Sequence, residues 1–182
     1  RLLKSPASQR GRDFAIMLKT FDELGYYVQW RVVNAGDYGM PQKRRRVFIF
    51  ASKKNTKYSD MLSKKIDLES SIFEQSFPTD NDLDILNEVN INKYKDTVDI
   101  TNNYKDGKFL DFGMMLDGRV FHKSVIPKKE KAYTLEKLLK KAQKYNDKDL
   151  SKYFAEEEKL NKWKYLKGSK RIERQSKGGH KY

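Results

Sequence analysis

Apolar residues recur at helical spacing along residues 12–24, where Phe14, Met17, Leu18, Phe21 and Leu24 fall on one face. Gly25 stands where a helix-terminating glycine belongs. Residues 26–33 then switch to aromatic and β-branched types and predict a strand, and residues 47–51 predict a second. Between them runs Asn34-Ala35-Gly36-Asp37-Tyr38-Gly39-Met40-Pro41, with two glycines and a proline as breakers. This connection leaves no room for a helix, so the two strands are expected to pair antiparallel. Residues 52–65 are rich in lysine and serine and look like a linker. Residues 69–77 and 80–90 predict short helices, the second capped by Thr79, Asp80 or Asn81. Residues 96–106 are polar and weakly patterned, and a surface loop is expected there.

Further on, two apolar runs, 109–116 and 119–125, flank Asp117-Gly118, a dipeptide favoured in two-residue hairpin turns. Gly113 inside the first run predicts a bulge or a close backbone approach, and Pro127 ends the second strand. Thr134 is placed to cap a helix over 135–145 with Leu135, Leu138, Leu139 and Ala142 as its apolar stripe. Residues 149–166 form a second helical region stopped by Gly168, and Trp163 and Tyr165 within it are expected in the core. His122, in the hairpin, is expected at the surface. The end, 170–182, is basic and contains glycine, and no internal repeat is visible.

Composition narrows the partners. The 182 residues suffice for one good-sized domain or two small ones. The net charge of +14 points to a polyanion. An AT-rich coding sequence also yields abundant Lys, Asn, Ile and Tyr without any binding, but it would spread charge evenly. Here residues 1–60 hold 13 basic and 5 acidic groups, whereas residues 61–110 hold 6 and 10. The acidic middle suggests a face turned away from the polyanion. There is no cysteine, which excludes disulfides, thiolate zinc sites and a thiol nucleophile within these residues. Two distant histidines, His122 and His180, make a histidine metal cluster implausible. No apolar run approaches the roughly 20 residues of a membrane span, and no signal peptide is visible. The first residue is Arg and not Met, and the chain is expected to be a piece cut at both ends.

The most specific chemistry lies where the first loop meets the second strand. Gln42-Lys43-Arg44-Arg45-Arg46 leads directly into Val47-Phe48-Ile49, which fixes guanidinium groups at the lip of a sheet. Taken alone, four consecutive cations fit a solvated charge run or a localisation signal as well as a binding site. Strand alternation would put Arg44 and Arg46 on one side and Lys43 and Arg45 on the other. Asp37 and Tyr38 suit structural roles in the turn.

The pattern Asn34-Ala35-x-Asp37-Tyr38-Gly39-x-Pro41-Gln42-x-Arg44-x-Arg46 with its strand resembles the Gln-x-Arg-x-Arg motif of the DNA (cytosine-5)-methyltransferase family. Arg1-Leu2-Leu3 is similar to the residues just after that family's Glu-Asn-Val segment. The hairpin, Thr134-Leu135 and the run Trp163 to Arg171 resemble more loosely the target-recognition domain of bacterial members. Residues 53–106 have no match.

The resemblance implies an α/β fold: a helix and an antiparallel pair of C-terminal strands from a Rossmann-like methyltransferase sheet, followed by an α+β target-recognition domain. The catalytic part would cover 1–52 and the recognition part 53–182. The family flips a cytosine from duplex DNA, attacks carbon six with a cysteine, and methylates carbon five from S-adenosylmethionine. Arg46 would then hydrogen-bond the base's O2, and Arg44 would hold the catalytic loop or the nearby backbone, with Gln42 beside them. Lys43, Arg45, Lys170 and Arg171 would contact DNA. The Glu-Asn-Val segment, the cysteine and the Phe-x-Gly-x-Gly cofactor loop are missing from these residues. S-adenosylmethionine is therefore expected to be bound mainly by parts absent here, and the remainder of the catalytic domain is an expected partner beside double-stranded DNA. No metal or membrane partner is expected, and the location implied is the bacterial cytoplasm, on DNA. Two alternatives stay open: a non-catalytic DNA-binding module or subunit of a split methyltransferase, and the related branch that methylates transfer RNA.

Overall fold

The computed structural model describes residues 2–64, 68, 71–80, 85–145 and 151–169. They form two compact units, Arg1–Leu135 and Glu136–Tyr182.

The first unit is built on an antiparallel sheet. Helix α1 (Arg12–Glu23) buries Phe14 and Leu18 of the expected stripe together with Ala15, while Met17 and Phe21 are partly buried and Leu24, just past its end, is exposed. Gly11 precedes it at φ 98°, and a side chain there would collide with the carbonyl of Gly107. Strand β1 (Tyr26–Asn34) pairs antiparallel with β2 (Arg45–Lys53), from Tyr26 opposite Lys53 to Asn34 opposite Arg45. The expected antiparallel pairing is therefore present, and both strands are longer than the apolar pattern alone indicates.

On its other side β1 pairs with β5 (Phe112–Leu116). The hairpin continues to β6 (Arg119–Lys123), which pairs with β4 (Asn87–Asn90). The strand order is β2-β1-β5-β6-β4, so one sheet joins residues on both sides of position 52. A separate two-stranded ribbon pairs β3 (Thr79–Asp80) with β7 (Ile126–Pro127).

Each sheet face is covered. Val28 and Trp30 of β1 pack with Phe14, Leu18 and Phe109 under α1, and Trp30 Nε1 donates to the Leu110 carbonyl at 3.0 Å. Phe112, Met114 and Phe121 pack on the opposite side with Phe73 and the half-buried Tyr58. Gly113 makes the predicted close approach: a methyl group there would run into the Trp30 ring and lie 2.6 Å from the Phe121 carbonyl. The hairpin turn uses positive φ at both Asp117 and Gly118, which requires the Asp-Gly pair.

Several expectations are corrected. Helix α2 (Lys57–Lys64) occupies the stretch expected to be a linker. The expected helix over 80–90 is replaced by β3 and β4, so Asp80 is a strand residue and no cap, while Asn81 lies outside the described residues. Helix α3 (Ile72–Ser76) is the shorter core of the 69–77 prediction. Helix α4 (Thr97–Asn103) stands where a surface loop was expected, and it buries Ile100. His122 is not at the surface but 4% exposed.

The second unit contains the helix over Glu157–Ser169, here α6, which runs through Gly168 instead of stopping there. Helix α5 (Leu135–Ala142) starts at the junction of the two units. Its stripe residues Leu135, Leu138 and Leu139 are exposed. Trp163 and Tyr165 of α6 are also exposed, contrary to the expected core placement. A helical apolar stripe records the capacity to pack, and here these side chains remain more than 40% exposed. Among the described residues no helix is long and apolar enough to cross a membrane, and no group of acidic, histidine or cysteine residues is arranged to hold a metal ion.

Candidate nucleic-acid interface

The loop between β1 and β2 is held as a fixed turn. Asn34 accepts from the Gly36 backbone N–H at 3.4 Å and donates to Asp37 at 3.2 Å. Gly39 ends a short helical turn at φ 77°. Ala35 N–H donates to the Arg44 carbonyl at 3.1 Å, which closes the loop at the position where the cations begin. Asp37 and Tyr38 thus play the structural roles expected of them. The Tyr38 hydroxyl points toward the Phe77 and Pro78 carbonyls at 3.3 and 3.4 Å.

A second segment clasps this turn. Glu130 N–H donates to the Asp37 carbonyl at 2.9 Å, and Tyr133 N–H donates to the Gly39 carbonyl at 3.2 Å. The basic stretch Lys128-Lys129-Glu130-Lys131 is thereby tied to the turn that carries Gln42 to Arg46.

Gln42, Lys43, Arg44, Arg45 and Arg46 are all exposed. Strand β2 begins at Arg45, so alternation governs Arg45 and Arg46 but not Lys43 and Arg44. Arg45 lies 3.6 Å from Asp111 in an ion pair open to solvent. Arg46 Nη1 donates to the Arg45 carbonyl at 2.8 Å. Two clefts flank these residues. One, of about 250 Å³, is lined by Leu3, Lys4, Val32, Arg45, Arg46, Val47 and Asp111. It brings Arg46 beside the first residues of the chain, far away in sequence. The other, of about 340 Å³, contains Arg31, Asn34, Asp37, Tyr38, Arg45, Asp111 and Lys129 on its walls.

Sequence reasoning missed Arg31. It is 1% exposed, its Cζ lies 5.0 Å from the centre of the Phe112 ring, and Nη2 donates to Tyr38 Oη at 3.4 Å. Nε and Nη1 have no hydrogen-bond partner among the described residues. The signal available was a lone charged residue inside a mostly apolar strand, between Trp30 and Val32. Asp111 and Lys129 were also missed, because only the fold brings them to the arginine turn, Asp111 beside β1 and Lys129 through the clasping segment. Lys170 and Arg171, the other DNA-binding candidates, lie outside the described residues.

A profile described as C-5 cytosine-specific DNA methylase matches residues 3–181. The chain belongs to this family. It is 42% identical over 190 residues to the Type II methyltransferase M.Sau3AI of Staphylococcus aureus, an alignment that covers all of this chain and 43% of that protein. The Type II methyltransferase M.NlaIV of Neisseria lactamica is 36% identical over 81 residues, covering 43% of this chain and 18% of that protein. The Type II methyltransferase M.NgoBV of Neisseria gonorrhoeae is 33% identical over a stretch of the same length. The chain thus spans less than half the length of these relatives. No solved structure matches it.

Proposed function

We propose that this chain is the target-base and DNA-recognition part of a bacterial DNA (cytosine-5)-methyltransferase. The carrying observation is the arginine turn: Arg46 is fixed at the start of an edge strand and lines a cleft with Leu3 and Lys4. Attack on carbon six of cytosine drives electron density onto O2. A guanidinium held in place stabilises that charge, as preorganised donors do in other active sites. It stays protonated and offers a rigid donor fork, which a lysine does not. Arg46 takes this role. Arg44 holds the catalytic loop or the adjacent backbone, and Gln42 lies beside it. Lys43 and Arg45 meet phosphate, as do Lys170 and Arg171.

Residues 1–52 belong in this reading to the catalytic part, and 53–182 to the recognition part. Strand β2 is the outermost strand of the sheet, and Phe48 on it is 47% exposed. The rest of a Rossmann-like catalytic sheet is assigned to that open edge. The thiolate must come from outside these 182 residues, which contain no cysteine. The residues present do not form a cradle for S-adenosylmethionine, because Gly11, Gly25, Gly36 and Gly39 sit in separate turns and not in one glycine-rich strand-to-helix turn. No step is therefore assigned to the methyl donor on residues of this chain. The purified 182-residue chain is expected to transfer no methyl group by itself.

The test is methyl transfer to duplex DNA by the intact protein. Arg46→Ala is expected to lower kcat by roughly 10²–10³, the range for removing one charge-stabilising donor. Arg46 is exposed, so the melting temperature should hold. A variant that keeps wild-type turnover would remove Arg46 from the mechanism.

A further inference from the structure

The cleft at Arg31 holds a buried guanidinium that no described carboxylate pairs with. Arg31 is 1% exposed and lines a cavity of about 340 Å³. Among the described residues, Nη2 donates to the neutral Tyr38 hydroxyl at 3.4 Å, Nε and Nη1 have no hydrogen-bond partner, and the guanidinium lies over the Phe112 ring at 5.0 Å. Two carboxylates share the cleft without an ion pair to Arg31: Asp37 accepts from Asn34 at 3.2 Å, and Asp111 lies 3.6 Å from Arg45. Lys129 adds a further cation to the wall. A buried guanidinium is stable only when an anion or several acceptors complete it. Its fork geometry suits the oxygens of a phosphate or a carboxylate, which it binds bidentately.

We infer that Arg31, with Asn34 and Lys129, forms a phosphate-binding subsite between the arginine turn and the 128–133 segment. This rests on the reading of the chain as DNA-handling, and it assigns the subsite a phosphodiester of the substrate strand near the extruded base. The location supports that source. Arg45 lies on the walls of both clefts, so the phosphate would sit one side chain away from the cleft of Arg46. The segment that supplies Lys129 is bonded to the turn through Asp37 and Gly39, so the subsite would be set together with the base-contacting arginines. Filling it would couple backbone grip to the geometry of the target base. Inorganic phosphate has the same chemistry and is the competing source.

The experiment uses the intact protein with a duplex carrying its target cytosine. Single backbone linkages around that cytosine are replaced in turn by neutral methylphosphonates. In the wild type, one linkage is expected to be sensitive, with affinity falling about tenfold or more on loss of a charge-assisted contact. Arg31→Met should lose affinity on the unmodified duplex by a similar factor and become insensitive at that same linkage. Arg31→Lys keeps the charge without the fork and should fall between the two. Melting curves of each variant separate a lost contact from a lost fold. If Arg31→Met and wild type respond alike at every linkage, the DNA assignment is overturned. If inorganic phosphate raises the melting temperature of wild type but not of Arg31→Met while no linkage is sensitive, the subsite stands and belongs to free phosphate. If neither probe distinguishes Arg31→Met from wild type, there is no subsite. A wild-type protein that fails to bind duplex DNA at all would instead overturn the functional reading on which the DNA assignment rests.

Discussion

Both ring nitrogens of His122 lie in the core without a hydrogen-bond partner among the described residues, and the ring meets Phe109 edge-on with centroids 5.4 Å apart. Burial disfavours the imidazolium and pulls the pKa down to about 4. The unfolded chain, titrating near 6.5, therefore binds the proton first as pH falls. The stability due to neutral His122 is complete above pH 6.5, declines between 6.5 and 4, and is exhausted below. His122→Leu removes the titrating group, so its unfolding free energy should fall less over that window. The gap between variant and wild type should change by on the order of 2–3 kcal/mol, read from urea unfolding at pH 7.5 and pH 4.5. A gap constant with pH would show that His122 does not titrate on unfolding. Gly113 makes a second residue-scale case. A methyl group there collides with the Trp30 ring and the Phe121 carbonyl, both fixed in the sheet. Gly113→Ala should cost about 2–4 kcal/mol, by overpacking with little room to relax. The close approach at Gly113 was legible because a glycine inside an apolar strand is itself a signal. Burial of His122 was not, since the covering of both hairpin faces comes from elements distant in sequence.

Elements were legible where the pattern was strong and local. Helix α1, strands β1 and β2 and the Asp117-Gly118 hairpin each carry their own periodicity or turn chemistry, and the structure has them. Helix α4 shows why others were not. Its sequence Thr-Val-Asp-Ile-Thr-Asn-Asn is poor in helix formers. It forms because Asp96 caps it, accepting from Asp99 N–H at 2.8 Å, and because Ile100 is fully buried in the α1 core. Tertiary burial overrides propensity, and single-sequence patterning does not register that. Asp96→Ala should therefore destabilise the protein by about 1 kcal/mol through the lost cap, measurable as a lower urea midpoint with unchanged slope. An unaffected midpoint would mean that packing alone holds the helix. Strand β4 is four residues long and is defined by pairing with β6, supported by the Arg119–Glu88 ion pair at 2.9 Å. Nothing within its own span distinguishes it from the helix expected there. The candidate site divides in the same way. The turn and its arginines are a contiguous motif, whereas Arg31 and Asp111 reach it through strand pairing and Lys129 through the loop bonds from Glu130 and Tyr133.

At the scale of the whole molecule the question is which of the 39 basic residues would account for the proposed attraction to a polyanion. Net charge cannot answer it, because a composition-driven excess of lysine would produce the same +14. The structure separates the cations by their partners. Lys54 is held between Asp22 at 3.1 Å and Asp117 at 2.7 Å, and Lys93 pairs with Asp106. Burial works against the charge on Lys54, but the two carboxylates outweigh it and raise its pKa. These two cations are held in close pairs and have little left for a phosphate, unlike Arg45 in its looser, exposed 3.6 Å pair with Asp111. Lys43, Arg44 and Lys129 are instead exposed around one turn. A cation that contacts phosphate releases a counterion, so each contact adds about 0.9 to the slope of log K against log salt. In the intact protein, binding to duplex DNA should weaken steeply from low to moderate salt. Lys43→Gln and Lys129→Gln should each reduce the slope by about 0.9. Lys54→Gln should leave the slope unchanged, although it breaks two ion pairs. If all three substitutions lowered the slope equally, the attraction would be a diffuse property of the charge excess, and the turn would lose its claim as the electrostatic anchor. If only the turn residues do so, the basic composition is background, and the arginine turn with its clasping segment is the surface that meets the DNA backbone.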